Sequence, residues 1–158
     1  MIAAVFDAMT FLQAVTNRQG PAGACLALVD EGHVKLFVSA DVLDEVRDVL
    51  YRPAIRKVFK KKLTDEIAQD FLDHVVDKAH AVEHVPNVFR LKRDPDDEPI
   101  LNLAIATRAS FIVSRDKDLR DLMKDDEFLK TYPGLTIIDP AAFLKHARAE
   151  IAKEVGGA

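Results

Sequence analysis

Arg93–Leu119 reads RDPDDEPILNLAIATRASFIVSRDKDL. Pro99 opens a helix that the spacing carries to Arg108, with Ile100, Leu103, Ala104 and Thr107 on one side. Phe111–Ser114 (FIVS) is a compact apolar strand, and Lys117–Met123 a short helix. A helix, a strand and a second helix in so short a stretch form the repeating unit of a parallel α/β sheet.

The same alternation extends in both directions. Upstream, Ile2–Phe6 is an apolar run that halts at Asp7, and Val34–Ser39 is a second strand. Between them, 10–30 looks helical but is broken by Gly20-Pro21. Asp41–Leu50 follows as a helix stopped by Arg52-Pro53, and Ala54–Phe59 as a shorter one. From Thr64 to Ala79, Ile67, Phe71 and Val75 recur every four residues beside Ala68, Leu72, Val76 and Ala79, one apolar helix face. Ala81–Val85 is a candidate strand. Downstream, Pro133-Gly134 turns the chain into the strand Leu135–Ile138. The last helix starts at Pro140, with Leu144, Ala147 and Ile151 inward. The expected fold class is α/β, a three-layer α/β/α sandwich with a central parallel sheet. Its helical insertion lies between the second strand and the DPDD stretch. One domain is expected over 1–150, with 151–158 the end of the last helix and a frayed tail.

Composition limits the function. The chain has 158 residues, 22 basic against 26 acidic, a formal net charge of −4 and a pI near 5.7. That excludes a globally basic nucleic-acid binder and leaves room only for local patches. The single cysteine, Cys25, cannot close a disulfide within the chain, and no Cys/His cluster has zinc-ligand spacing. No apolar stretch approaches the roughly 18 residues of a membrane span. The N-terminus reaches an acid at Asp7, unlike a secretory signal, so a cytoplasmic setting is expected.

The acids fall in a pattern. In open α/β sheets, ligands bind beyond the carboxyl ends of the strands. Asp7 directly follows the first strand, and Asp116 lies just after FIVS. Each is equally placed to cap the helix after it. On a helical wheel, Val42, Val46, Val49 and Leu50 form the buried arc of 41–50, Asp44 and Asp48 point outward, and Glu45 sits at the edge. Asp94, Asp96, Asp97 and Glu98 crowd the start of the Pro99 helix. Acids there suit the helix dipole, but four repel one another unless a cation or solvent screens them. Carboxylates from four segments at one sheet edge suit a hard cation, Mg²⁺ or Mn²⁺. Such an ion assists hydrolysis of a phosphodiester.

Three segments, VFDAMTFL, VSADVLDEVRDVLYRP and RDPDDEPILNLAIATRASFIVSRDKDL, together resemble the PIN domain (PilT N-terminal domain) nucleases. The last of them resembles the branch of toxins from toxin–antitoxin pairs, related to VapC-like ribonucleases. The resemblance implies a parallel sheet of about five strands and a metal-dependent endoribonuclease acting on single-stranded or structured RNA, with an antitoxin protein as partner. It carries the catalytic and metal-binding roles onto Asp7, Glu45, Asp97, Glu98 and Asp116. Glu98 falls where the family commonly has its third acid and Asp97 one residue earlier, and spacing does not choose between them. Family members usually follow the first acid with a small hydroxyl residue and asparagine; here Ala8 and Met9 stand there. Thr10 and Ser114 are the hydroxyls placed to substitute. Met9 also favours an alternative, a degenerate PIN domain that binds RNA or a protein without cutting. A third reading, a small phosphatase with its nucleophile after the first strand, requires a second acid where Met9 stands.

Arg52, Arg56, Lys57, Lys60, Lys61 and Lys62 form a run without an acid. Such a run serves either as a salt-dependent RNA contact or as a solubilising face. Arg115, beside Asp116, is better placed to touch a scissile phosphate. Cys25, within ACLALV, reads as core. The five histidines read as surface or core-edge residues. The apolar stretches FLQAVTN, ACLALV and 64–79 pack into the core or offer a face for a homodimer or an antitoxin.

Overall fold

The computed structural model describes residues 1–89 and 97–156. Among these, β1 (Ile2–Phe6), β2 (Val34–Ser39), β3 (His80–Val82), β4 (Phe111–Val113) and β5 (Thr136–Ile138) form one parallel sheet in the order β3-β2-β1-β4-β5. Helices cover both faces, giving the expected three-layer sandwich. The strand order runs outward from β1 in both directions, so the switch point lies where β1 meets β4. Their register pairs Phe6 with Val113, which brings Asp7 and Ser114 side by side at the carboxyl edge.

The central strands read as continuous apolar runs because they are covered on both faces: Ala4, Val5, Phe6 and all of β4 are buried, whereas the edge strand β3 is largely exposed. Phe143, from the last helix, packs edge-on against Phe6 and Phe111, with centroids 6.2 and 5.2 Å apart. Each such pair contributes about 0.5–1.5 kcal/mol beyond its buried area. They tie the two central strands to that helix.

The helices are α1 (Ala8–Thr16), α2 (Pro21–Asp30), α3 (Ala40–Tyr51), α4 (Pro53–Phe59), α5 (Asp65–Lys78), α6 (Glu98–Thr107), α7 (Lys117–Arg120), α8 (Asp126–Thr131) and α9 (Pro140–Gly156). Gly20-Pro21 separates α1 from α2 as expected, with Pro21 in the first turn. Gly23 is required there, since a Cβ would stand 2.2 Å from the Arg18 carbonyl oxygen. Helix α2 packs on α1 and α9 and buries Cys25, Leu26, Leu28 and Val29. The apolar stretches around residues 11–29 are therefore core.

Several boundaries differ from expectation. Helix α1 starts at Ala8, not Thr10, because Asp7 supplies its N-cap. Strand β3 spans 80–82 rather than 81–85, ending where its pairing with Ser39 at the end of β2 ends. The 117–123 helix is two pieces, α7 and a 3-10 turn, Asp121–Lys124. Helix α8 has no strong periodicity because it buries only Phe128; its sequence signal is Asp125, whose carboxylate caps the Phe128 N–H at 3.1 Å. Val76 is 56% exposed, so the inner face of α5 is narrower, formed by Ala68, Phe71, Leu72 and Val75. On α9 the innermost residues are Phe143 and Ala147, with Leu144 and Ile151 partly buried. Asp94 and Asp96, like the tail residues Gly157 and Ala158, lie outside the described residues.

Candidate active site

Asp7 stands at the end of β1 with its carboxylate held from three sides. Oδ1 accepts the Thr10 N–H at 2.8 Å and the Thr10 hydroxyl at 2.6 Å, and Oδ2 accepts the Ser114 hydroxyl. The Thr10 hydroxyl also lies 3.1 Å from the Val113 carbonyl, and its one proton serves either acceptor. Burial pushes the Asp7 pKa above the ordinary 3.8; the bonds from Ser114 and Thr10 oppose the rise, and the charge of Asp116 adds to it.

Asp116 is reached through the same serine. Its backbone N–H donates to Ser114 Oγ at 3.0 Å, while its carboxylate accepts the Leu119 N–H at 3.2 Å. Both strand-end aspartates are thus helix caps, as their positions allowed, and Asp116 is near enough for its charge to act on Asp7.

Glu45 arrives on α3. Ser39, the last residue of β2, caps that helix through the Val42 N–H at 3.2 Å, so strand and helix join without a loop. The buried arc is Val42, Val46, Val49 and Leu50, with Asp44 and Asp48 exposed and Glu45 half-buried. Asp97 and Glu98 stand at the N-terminus of α6. Asp7, Glu45 and Asp97 line one cavity of about 30 Å³ with Ala8, Val42, Pro99 and Ile100. That is about the volume of one water molecule. Glu98 is not among its lining residues. Among the described residues, no three Asp, Glu, His or Cys side chains form a closed ligand group. Asp7, Glu45 and Asp97 share the cavity without collapsing onto a common centre, and Asp116, like Glu98, lies off its wall.

The cationic residues separate. Arg52 pairs with Asp48 at 2.8 Å on an open groove beside α3. Arg56 is structural: it donates to the Leu50 carbonyl at 2.6 Å and to Asp65 at 2.7 Å, and lies over the Tyr51 ring. Lys57, Lys60, Lys61 and Lys62 are exposed. Arg115 lies elsewhere, on a groove of about 600 Å³ at the sheet's carboxyl edge, with Arg120, Gln13, Asn17, Phe59 and Asp139.

Asn102 has a role that the spacing of the acids does not reveal. It is buried on α6, accepts the Val88 and Phe89 N–H groups at 3.1 and 2.7 Å, and donates to the Phe89 carbonyl at 3.3 Å. The signal was there: an amide between Leu101 and Leu103 in an otherwise apolar run. Cys25 is core, its thiol 3.3 Å from the Pro140 carbonyl and pushed up to about 12 by burial, so it stays a thiol at neutral pH. His74 pairs with Asp30 at 2.8 Å at the surface, and His80 and His146 meet the Phe37 and Phe111 rings at tilted angles, with centroids 6.0 and 4.9 Å apart.

A parallel α/β domain with an acidic pocket at its switch point defines the class of protein. Residues 3–118 match the family model described as PIN domain, and the chain belongs to that family. Its members are generally nucleases that use divalent metals. The match includes all five candidate acids. An uncharacterized protein of Methanocaldococcus jannaschii is 27% identical over 132 residues, 82% of this chain and 80% of that protein. A chain in the crystal structure of VapBC2 from Rickettsia felis, bound to a DNA fragment from their promoter, shares the fold with a TM-score of 0.52. That superposition covers 86% of this chain and 97% of the other, at 16% identity.

Proposed function

We propose that the chain is a divalent-metal-dependent endoribonuclease and the toxin half of a toxin–antitoxin pair, acting in the cytoplasm. The observation that carries the nuclease reading is the meeting of Asp7, Glu45 and Asp97, from three separate segments, on one small cavity at the switch point of a PIN domain. The toxin reading rests on the resemblance of 93–119 to that branch and on the fold shared with a VapBC2 chain.

The donor set fits a hard cation. Every candidate ligand is a carboxylate oxygen, the preference of Mg²⁺ and Mn²⁺. A carboxylate that burial and a neighbouring acid push toward protonation also gains from a nearby positive charge. Asp7, Asp97 and Asp116 would hold the ion, with Asp97 favoured over Glu98 by its place on the cavity wall. When bound, the ion supplies charge neutralisation at the phosphoryl group and a more acidic water.

The protein's own groups position the reactants. Ser114 and Thr10 fix both Asp7 oxygens, the ordering role that Ala8 and Met9 cannot supply. Glu45, at the cavity edge, orients the attacking water and accepts its proton. Arg115 contacts the phosphate oxygens as negative charge grows on them.

Purified protein free of any inhibitor should cleave RNA with Mn²⁺, and Asp7→Asn should abolish both cleavage and metal-induced thermal stabilisation. No cleavage, with the stabilisation unaltered in Asp7→Asn, would falsify the metal-nuclease reading. Stable RNA binding with no calorimetric response to metal would instead support the degenerate alternative that Met9 raises.

A further inference from the structure

We infer that Met123 is an oxidation site for hydrogen peroxide, placed so that one added oxygen loosens the outer edge of β5 and the strand-end acids behind it. The inference goes beyond the nuclease reading, and only its effect on metal binding rests on that reading.

Strand β5 is an edge of the sheet. Its Thr136 N–H donates to the Ser110 carbonyl at 2.9 Å, and its Ile138 carbonyl accepts the Ser114 N–H at 2.9 Å. Those residues bond toward β4, so the Ile137 N–H between them faces outward. A side chain closes it: the Met123 thioether accepts the Ile137 N–H at 3.4 Å. Ile137 is buried, so losing the sulfur leaves its N–H with neither a protein acceptor nor bulk water. Met123 itself is only half-buried, within reach of a small oxidant. Beside it, Asp121 pairs with Lys117 and Lys124 at 4.0 and 3.6 Å, but both lysines are exposed and such pairs hold little. Leu122 and Met123, packed against the core, are what seat this 3-10 turn.

Two short connections run from the thioether to the candidate site. The turn continues α7, whose N-cap is Asp116. One residue past Ile137, the Ile138 carbonyl takes the N–H of Ser114, whose hydroxyl holds Asp7. Peroxide transfers one oxygen atom to the sulfur: the O–O bond breaks, an S–O bond forms, the sulfur loses two electrons and the peroxide leaves as water. An N–H···O bond alone spans about 2.9 Å, so a 3.4 Å gap between nitrogen and sulfur has no room for an inserted oxygen. Either the sulfoxide oxygen takes the Ile137 N–H and drives the sulfur back, or it turns aside and deserts that N–H. Both lift the turn from β5 and shift what it holds.

The test compares the parent with Met123→Leu, a volume-conserving change, before and after hydrogen peroxide without metal. Met1 and Met9 are exposed and oxidise too, so peptide mapping by mass spectrometry assigns each oxygen and Met123→Leu reports their effect alone. In the parent, oxygen on Met123 should lower the melting temperature by about 5 °C and speed deuterium exchange at the Ile137 amide roughly 10-fold. Methionine sulfoxide reductases should reverse both changes. Met123→Leu, without the acceptor, should exchange that amide quickly from the outset and respond to peroxide in neither measurement. A Met123 that stays unoxidised in the folded chain, or is oxidised with both measurements unchanged, overturns the inference. Calorimetry then follows Mn²⁺: oxidation should weaken its binding about 10-fold in the parent and not in Met123→Leu. Equal weakening in the two overturns the link to the strand-end acids. If Mn²⁺ binds neither the fresh nor the oxidised parent, the metal-nuclease reading fails, while the oxidation site stands or falls on the metal-free measurements.

Discussion

The hydroxyl of Ser114 donates to the carboxylate of Asp7, 107 positions away in the chain, and accepts the backbone N–H of Asp116 at 3.0 Å. One oxygen therefore sets the relative positions of the acids that follow β1 and β4. A hydroxyl orienting a ligand carboxylate governs metal affinity from one bond further out, typically by 10–100-fold. Ser114→Ala should weaken Mn²⁺ binding in calorimetry by about that factor, and Ser114→Thr should restore much of it. An Mn²⁺ affinity in Ser114→Ala equal to the parent's would remove the serine from the site.

Asp7 makes stability depend on pH in an identifiable direction. Its native pKa lies above the ordinary 3.8, so the folded chain holds that proton more tightly than the unfolded one. The resulting stabilisation is fully present below 3.8 and is lost as the pH rises through the raised native value. Above that raised value the ionised, buried carboxylate opposes folding. Asp7→Asn should therefore melt above the parent at pH 8 without metal, by a margin that shrinks toward pH 4. Added Mn²⁺ should reverse the order at pH 8, because only the parent gains from the cation. Equal margins at both pH values would contradict the buried, proton-holding environment.

The strand-end acids were readable in the sequence because the chain announces each strand by an apolar run that stops. Ile2–Phe6 ends at Asp7 and FIV ends at Ser114, and parallel pairing alone aligns those ends. Glu45 was readable because its helix has a clean buried arc. What could not be read were relationships across space. Nothing local says that Ser114 bonds Asp7, or that Arg56 spends its donors on Leu50 and Asp65 while Arg115 faces a groove. The choice between Asp97 and Glu98 depends on how α6 begins, and spacing carries no information about that rotation.

Asn102 ties the segment around Val88 and Phe89 to α6. Its amide accepts two backbone N–H groups and returns a bond to the Phe89 carbonyl, while Phe89 packs against Phe128 at 5.6 Å. Asn102→Leu leaves those backbone groups facing an apolar side chain, at a cost of about 2–3 kcal/mol. For a domain of this size the melting temperature should fall by about 5–10 °C. Asn102→Asp keeps the acceptor and should recover part of the loss. A Leu variant as stable as the parent would show that the segment is held by its aromatic contacts alone.

Arg56 and Lys57 are neighbours in one cationic run with opposite physical roles. Arg56 bonds the Leu50 carbonyl at 2.6 Å and stacks over Tyr51 at 4.7 Å, joining α4 to the end of α3. Its ion pair with Asp65 adds little, because that carboxylate is 85% exposed and screened by solvent. The charged hydrogen bond and the stacking together suggest a loss of about 2 kcal/mol for Arg56→Ala. Arg56→Lys should recover little, since an ammonium lacks the planar fork that bonds and stacks at once. Lys57→Ala, at an exposed position, should stay within about 0.5 kcal/mol of the parent. Urea denaturation of the three variants separates these outcomes. If Arg56→Ala and Lys57→Ala prove equally benign, Arg56 is a free surface cation, and the whole run returns as a candidate for RNA contact.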